Sequence, residues 1–175
     1  VIPDLFEAAV KDQRELRVWV AGCSSGEEAY SIAILLDEYV RRRQTAIPIK
    51  VIATDVHERS VDVAAAGCFD ESISQHISSD RLSRCFTQRD GKYHIKPEIR
   101  RTVIFAPQNV LTDAPFTNID LVICRNLLIY FDVEAHRRAL ALFHFALRSS
   151  GVLFLGTSES LGALSDEFGV ISGEL

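Results

Sequence analysis

The sequence predicts an α/β domain: a doubly wound, mostly parallel sheet with helices between its strands and a small antiparallel insertion. Three observations carry this. The stretch 17–36 runs from a β-rich apolar segment, Val18-Trp19-Val20-Ala21, through a turn of small residues, Gly22-Cys23-Ser24-Ser25-Gly26, into a helical pattern. Short continuous apolar runs, the mark of strands buried on both faces, then recur with helical patterns between them. Residues 68–101 alone break that alternation.

Taken in order, Ile2, Leu5, Phe6, Ala9 and Val10 share one helical face, so residues 3–13 form a lead-in helix with Pro3 tolerated in its first turn. The first strand covers 17–21 and the next helix 27–43, with Ile32, Leu35, Leu36, Tyr39 and Val40 as its apolar face and three arginines suiting its C-terminus. The second strand, 49–54, closes at Asp55, and a helix over 58–66 stops at Gly67. In the insertion, Ser78-Ser79-Asp80 opens a short helix. Arg89-Asp90-Gly91-Lys92 reads as a hairpin turn between Cys85–Gln88 and Tyr93-His94-Ile95. The third strand is 103–106 and the fourth 120–124. Asp132 caps a helix over 133–148 whose inner side is Val133, Leu140, Phe143 and Leu147. Gly151 ends that helix, 152–155 is the fifth strand, and a short helix follows at 161–168.

Composition narrows the function. The chain has 175 residues, 47% hydrophobic and 25% charged, an ordinary profile for one globular domain. A net charge of −5 argues against nucleic acid as a partner, because phosphate binding needs an excess of Lys and Arg. The four cysteines are scattered without a CxxC and the histidines lack HExxH spacing, so no zinc site is expected. Isolated thiols, with neither a signal peptide nor a long apolar run, point to a cytoplasmic protein without membrane insertion.

In a doubly wound sheet, ligands bind outside the carboxyl ends of the strands. There the sequence places Gly22 and Glu28 after the first strand, Asp55 after the second, Asn109 after the third, and Arg125, Asn126 and Tyr130 after the fourth. Asp55 either accepts the two hydroxyls of a ribose or caps the helix that follows. Gly22 and Gly26 either admit a ligand to the backbone or only shape the turn. Glu27 and Glu28 either complement the helix dipole or favour a cationic ligand such as an ammonium or sulfonium, and their charge opposes a pyrophosphate. Arg125 and Asn126 bind a ligand or pair locally, a salt bridge to Glu28 being the local option. Tyr130 alone would read as a core tyrosine. The turn is not GxGxxG, which disfavours a nicotinamide dinucleotide, and no Gly-x-Ser-x-Gly elbow is present.

The ordered set Gly22-Cys-Ser-Ser-Gly-Glu-Glu-Ala-Tyr-Ser31, Ala53-Thr-Asp55, Asn109-Val-Leu111, Cys124-Arg-Asn-Leu-Leu-Ile-Tyr-Phe131 and Ser158-Glu159 resembles the CheR-type chemotaxis-receptor glutamate O-methyltransferases. The resemblance covers essentially the whole chain. It implies a class I, Rossmann-like fold that binds S-adenosylmethionine, with S-adenosylhomocysteine as product. The insertion at about 68–101 would dock on the receptor, a methyl-accepting chemoreceptor. By position, Gly22 would be cofactor-binding, Glu28 would hold the cofactor's amino-acid end or neighbouring groups and Asp55 its ribose. Asn109 and Val110 would flank the adenine, Arg125 and Asn126 would line the methionine side, and Tyr130 would face the reacting methyl, making Tyr130 and Arg125 the catalytic candidates.

The loop Asp113-Ala-Pro-Phe-Thr and the tail after Phe154 are most similar to versions fused to methylesterase and PAS-type modules, so other domains of a parent protein are expected partners. The family's N-terminal helical domain and Phe-Phe-Arg stretch are missing, and its C-terminal strand pair is cut at Gly173-Glu174-Leu175. A catalytic-domain fragment with weakened cofactor affinity and no turnover is therefore expected. Ser25 and Ala29 stand where Thr and Pro are commoner in the family. The other readings are a non-catalytic module that binds S-adenosylmethionine or S-adenosylhomocysteine within a larger regulator, and an interaction domain without cofactor.

Overall fold

Alternation of side chains along the strands decides the layering. Val18 and Val20 of β1 (Leu16–Ala21), Val51 and Ala53 of β2 (Ile49–Asp55), and Leu121 and Ile123 of β7 (Ile119–Cys124) share one face of the sheet. Trp19 and Ala21, Ile52, and Val122 and Cys124 share the other. Each face must be covered, which is why these strands read as unbroken apolar runs. The computed structural model of the chain describes residues 1–44 and 47–171.

The first face packs against α1 (Ile2–Lys11) and α2 (Glu27–Arg43), and the second against α6 (Val133–Ala146). Trp19 anchors that second layer. Its ring meets Phe116 and Phe143 edge-on at 5.1 and 5.2 Å, and its buried Nε1–H donates to Thr54 Oγ1 at 2.9 Å. Five parallel strands lie in the order β6-β2-β1-β7-β8, with β6 at Val103–Pro107 and β8 at Leu147–Leu155. The chain steps outward from β1 through β2 to β6 and then returns to the far side of β1. The winding therefore reverses between β1 and β7, where a doubly wound sheet opens a crevice.

After α3 (Glu58–Ala66), whose C-cap Gly67 is left-handed at φ 58°, the chain enters the insertion. It holds β3 (Cys68–Asp70), α4 (Ser79–Cys85), β4 (Phe86–Arg89) and β5 (Lys92–Ile95), and a short helix α5 (Pro97–Arg100) leads back to β6. Glu38 of α2 ties the insertion down. Its carboxylate, 8% exposed, accepts two hydrogen bonds from Arg81 at 2.8 and 3.0 Å and another from Arg84.

Several expectations change. The expected antiparallel hairpin of the insertion is present as β4 and β5, and β3 adds to β5 to make three strands. Of the expected α2 face, Leu36 is buried and Ile32, Tyr39 and Val40 pack against the core beside Tyr30, Ala33 and Ile34, while Leu35 is exposed. Tyr30 reaches α3 by donating its hydroxyl to Ala64 O at 2.9 Å. Val10 is exposed on α1. Helix α6 ends at Ala146 and Val133 lies at its outer tip, 88% exposed. Leu147 already pairs with Ile119, and the ladder resumes only at Val152 opposite Leu121, so residues 148–151 form a bulge. Gly151 belongs to that bulge rather than to a helix end: a Cβ there would lie 3.0 Å from Ile119 O. The helix expected at 161–168 is a 3-10 helix, Gly162–Glu167. The expected cut at Gly173-Glu174-Leu175 lies outside the described residues.

Candidate ligand crevice at the strand tips

The turn after β1 folds over the end of β2. Gly22 N–H and Cys23 N–H both donate to Thr54 O, at 2.8 and 2.9 Å, and Gly22 takes φ +73°. Ser24, also left-handed at φ +47°, donates its N–H to Asp55 Oδ2 at 2.9 Å, and His57 N–H donates to Oδ1 at the same distance. Asp55 thus organises two loops at once. Each of its oxygens still has a lone pair for a further donor, since an ionised carboxylate has about four acceptor sites. The turn ends at Gly26, φ +93°, where a Cβ would lie 2.9 Å from the Cβ of Ala64. This contact seats the start of α2 directly on α3.

Glu28, in the first turn of α2, accepts from Arg125 Nη1 at 3.0 Å. The local pairing considered for Arg125 is therefore present. It bridges the tips of β1 and β7 across the point where the winding reverses. Arg125 is half exposed and its partner mostly covered, so the pair contributes little to stability while holding one cation and one anion at the mouth of the crevice. Glu28's second oxygen accepts from nothing else among the described residues.

Asn126 follows, exposed and left-handed at φ +58°, and Tyr130 closes the 3-10 turn Leu128–Tyr130 with 79% of its surface exposed. Tyr130 is not a core residue. Beyond β6, Asn109 folds a tight turn, its Oδ1 accepting Leu111 N–H at 2.9 Å and its own N–H donating to Asp113 Oδ2 at 2.8 Å. Val110 is 7% exposed and belongs to the core cluster that holds Trp19 and Leu128.

Every residue that the sequence placed at the strand tips therefore lies at the carboxyl edge. Glu28 and Arg125 are in direct contact, as are Asp55 and the turn after Gly22. Asn109 and Val110 stand further out, beyond the edge strand.

Two thiols line the same edge and neither is reactive. Burial first, then the charge of Asp55, pushes the Cys23 thiol up to about 12, and burial raises that of Cys124 as well, helped by Glu159 and Glu28. Both stay protonated at neutral pH, which removes them as nucleophiles.

The sequence reading assigned no role to three features here. Glu159 bonds the loops after β7 and β8 together. Gln108 is buried at the tip of β6, its N–H on Asp55 O at 2.9 Å and its Oε1 without a partner among the described residues. A cleft of about 330 Å³ lies between the start of α2 and the insertion, lined by Ser25, Glu27, Val63, Phe69, Ile73 and His76. Glu159 was in view as part of a motif. Gln108 and the cleft carry no sequence signal, because they follow from how distant segments meet.

Comparison with known proteins places these features in context. A family model described as CheR methyltransferase, SAM binding domain, matches residues 1–175. An uncharacterized 104.1 kDa protein of Rhodobacter capsulatus is 50% identical over 97% of this chain and 18% of its own length. Chemotaxis protein methyltransferase 1 of Pseudomonas aeruginosa is 36% identical over 98% of this chain and 64% of its own. The chemotaxis protein methyltransferase of Listeria innocua is 37% identical over 92% and 59%. The chain thus spans less than two thirds of these relatives.

Among solved structures, the glycopeptide N-methyltransferase MtfA complexed with sinefungin aligns with TM-score 0.53 at 12% identity, covering 88% of this chain and 48% of that one. A TehB-like SAM-dependent methyltransferase from Corynebacterium glutamicum aligns with TM-score 0.50 at 15% identity, covering 88% and 60%. These two likenesses concern the fold alone.

Proposed function

The chain belongs to the family of CheR methyltransferase SAM-binding domains, and from that premise we propose that its crevice binds S-adenosylmethionine for methyl transfer to glutamate side chains of a chemoreceptor. The observation that supports this most is the donor set at the reversal point. An aspartate ends β2 with acceptor capacity to spare, and a Glu28–Arg125 pair spans the tips of β1 and β7. That set suits a ligand with a diol at one end and a zwitterionic amino acid at the other. Nothing there is arranged for a pyrophosphate: the first turn of α2 carries two carboxylates.

In this reading Asp55 accepts the ribose hydroxyls with the lone pairs its backbone bonds leave unused. Gly22, left-handed and without a side chain, lets the ligand lie against the backbone. Glu28 receives the ammonium, while Arg125 and Asn126 line the carboxylate side. Asn109 and Val110 border the base. Bound S-adenosylmethionine supplies a methyl on a sulfonium, already an electrophile. The acceptor, a glutamate with an ordinary pKa of ~4.3, is ionised at neutral pH and needs no general base. What the chain must do is align the two, and orientation supplies roughly 7–11 kcal/mol of a barrier. Tyr130, exposed in the turn that follows Arg125, would pack against the incoming side chain and exclude water.

The chemotaxis methyltransferases named above support the receptor as substrate, and the 104.1 kDa relative supports a fused parent protein as the setting. No helix among the described residues is long and apolar enough to cross a membrane.

The test has two stages. Calorimetric titration with S-adenosylhomocysteine reads cofactor binding by the chain. Methyl-labelled S-adenosylmethionine, with receptor cytoplasmic fragments as acceptors, reads transfer as base-labile ester, in the chain and in any longer protein that carries it. Binding together with label released by mild base supports the proposal. Acid- and base-stable label, or none from any version, refutes glutamate esterification.

A further inference from the structure

We propose that Glu159 is a positioning residue, whose single carboxylate clamps the loop after β7 to the loop after β8 and so sets where Arg125, Asn126 and Tyr130 meet the ligand. This role rests on the methyl-transfer reading of the crevice. The geometry supports it from both sides. Oε1 accepts Leu127 N–H at 2.9 Å and Leu128 N–H at 3.3 Å, and Oε2 accepts Gly156 N–H at 2.6 Å. Glu159's own N–H donates to Gly156 O at 3.1 Å, which closes the second loop on itself.

The reach follows from the sheet. Cys124 and Leu155 are register partners at the ends of neighbouring parallel strands, so both loops leave the same edge side by side. A side chain four residues past β8 therefore meets the backbone three and four residues past β7.

The bonds answer a need of that loop. Leu127 and Leu128 open a 3-10 turn, and the first N–H groups of any helical turn lack partners within it. Here a carboxylate 31 and 32 residues away satisfies them, in bonds strengthened by its charge. Gly156 completes the device, because a Cβ at that position would stand 2.5 Å from Glu159 Oε2. On one side of the clamped residues lie Arg125 and left-handed Asn126, and on the other Tyr130. With the carboxylate gone, the loop keeps its sequence but loses the bonds that fix its distance from β8.

Glu159→Gln is the informative variant. It preserves shape, but its amide nitrogen must face either Gly156 N–H or the Leu127 and Leu128 N–H groups, donor against donor. Ser78→Ala serves as control: it removes the side-chain cap of α4, in the insertion. Amide exchange at residues 127, 128 and 156 and titration with S-adenosylhomocysteine are measured on both.

The expected result for Glu159→Gln is faster exchange at those three amides and a Kd raised about tenfold, ~1.4 kcal/mol. Ser78→Ala should stay within about twofold, as expected of a distant site. Faster exchange with wild-type affinity overturns the positioning role and leaves a purely structural bond. Unchanged exchange overturns the clamp itself. A wild-type chain that binds no S-adenosylhomocysteine defeats the reading of the crevice and this role with it, and is recognised because wild type and variant fail alike. Should Glu159→Gln not fold, Glu159→Asp, one methylene too short to span both loops, is read in the same way.

Discussion

Gly26→Ala isolates the contact that seats the start of α2 on α3. Two costs add at this position. The residue sits at φ +93°, which an L side chain adopts at a cost of about 1–2 kcal/mol. The added methyl would also stand 2.9 Å from Ala64 Cβ and 3.2 Å from Ala64 Cα. Neither atom can swing away, since alanine has no further rotamer, so α2 and α3 must part. Overpacking of that kind costs about 1–3 kcal/mol. A combined loss of about 3 kcal/mol lowers Tm by roughly 6–12 °C, at ~2–4 °C per kcal/mol for a chain of this size. Gly91→Ala separates the two contributions. Gly91 has φ +71° in the β4–β5 turn, but a Cβ there meets nothing within 4 Å, so only the conformational cost remains, about 1 kcal/mol or ~2–4 °C. Thermal melts followed by far-ultraviolet circular dichroism measure both. Equal shifts for the two variants would refute the steric part of the reasoning and with it the seating of α2 on α3.

Three further outcomes follow from the same geometry. Asp55→Ala should raise the Kd for S-adenosylhomocysteine about a hundredfold by removing two hydroxyl acceptors, at about tenfold each; an unchanged calorimetric Kd would sink the ribose assignment. The hydrogen bond from Arg81, reinforced by Arg84, holds the Glu38 carboxyl below its ordinary value of 4.5. Its stabilisation is thus complete above the unfolded pKa and is lost as pH falls through the lower folded one. Urea midpoints of the wild type should accordingly drop below about pH 4.5, while Glu38→Gln, weaker at neutral pH, should show a flatter acid limb; parallel curves would contradict the pairing. Half-buried Cys68 should alkylate before buried Cys85, Cys124 and Cys23, the last with its thiol near 12, as read by mass spectrometry at pH 8. Early modification of Cys23 would mean that the turn after β1 opens.

What the sequence disclosed follows physical range. Strand cores and caps are local: Val18–Ala21 and Asp120–Cys124 read correctly because burial on both faces leaves an unbroken apolar run, and Asp132 read correctly because a cap needs only the amide three residues on, here Ala135 N–H at 2.8 Å. The apolar face of α2 was legible at Ile32, Leu36, Tyr39 and Val40, and Leu35 alone was misread because size was taken for burial. Ala29 and Ala33 are buried on α2, while the larger Leu35 lies outside. The long helix was carried past Ala146 because nothing in Leu147–Gly151 announces a bulge. That feature exists only because Ile119 offers a partner to Leu147. The third strand of the insertion was invisible for the same reason: three residues, Cys68–Asp70, carry no periodicity and become a strand by pairing with β5.

The crevice divides along the same line, and the division explains why its residue types were legible while their coupling was not. Asp55 and Arg125 announce themselves as charges just past apolar strands, and Glu28 as an acid in the first turn of the helix that follows the small-residue turn. Their chemistry can be read without knowing their neighbours. That Asp55 also ties Ser24 to His57, that Arg125 already spends one bond on Glu28, and that Glu159 fixes the loop between Asn126 and Tyr130 are relations across 31 to 97 residues of chain. They decide the energetics. A carboxylate that holds two loops cannot be removed as a ligand contact alone, so loss of affinity in Asp55→Ala has to be compared with loss of stability in the same protein. In the proposed reading, an arginine that exchanges Glu28 for a ligand carboxylate gains only the difference between them. The sequence names candidate groups at the crevice, whereas affinity for any ligand depends on what those groups already hold in its absence.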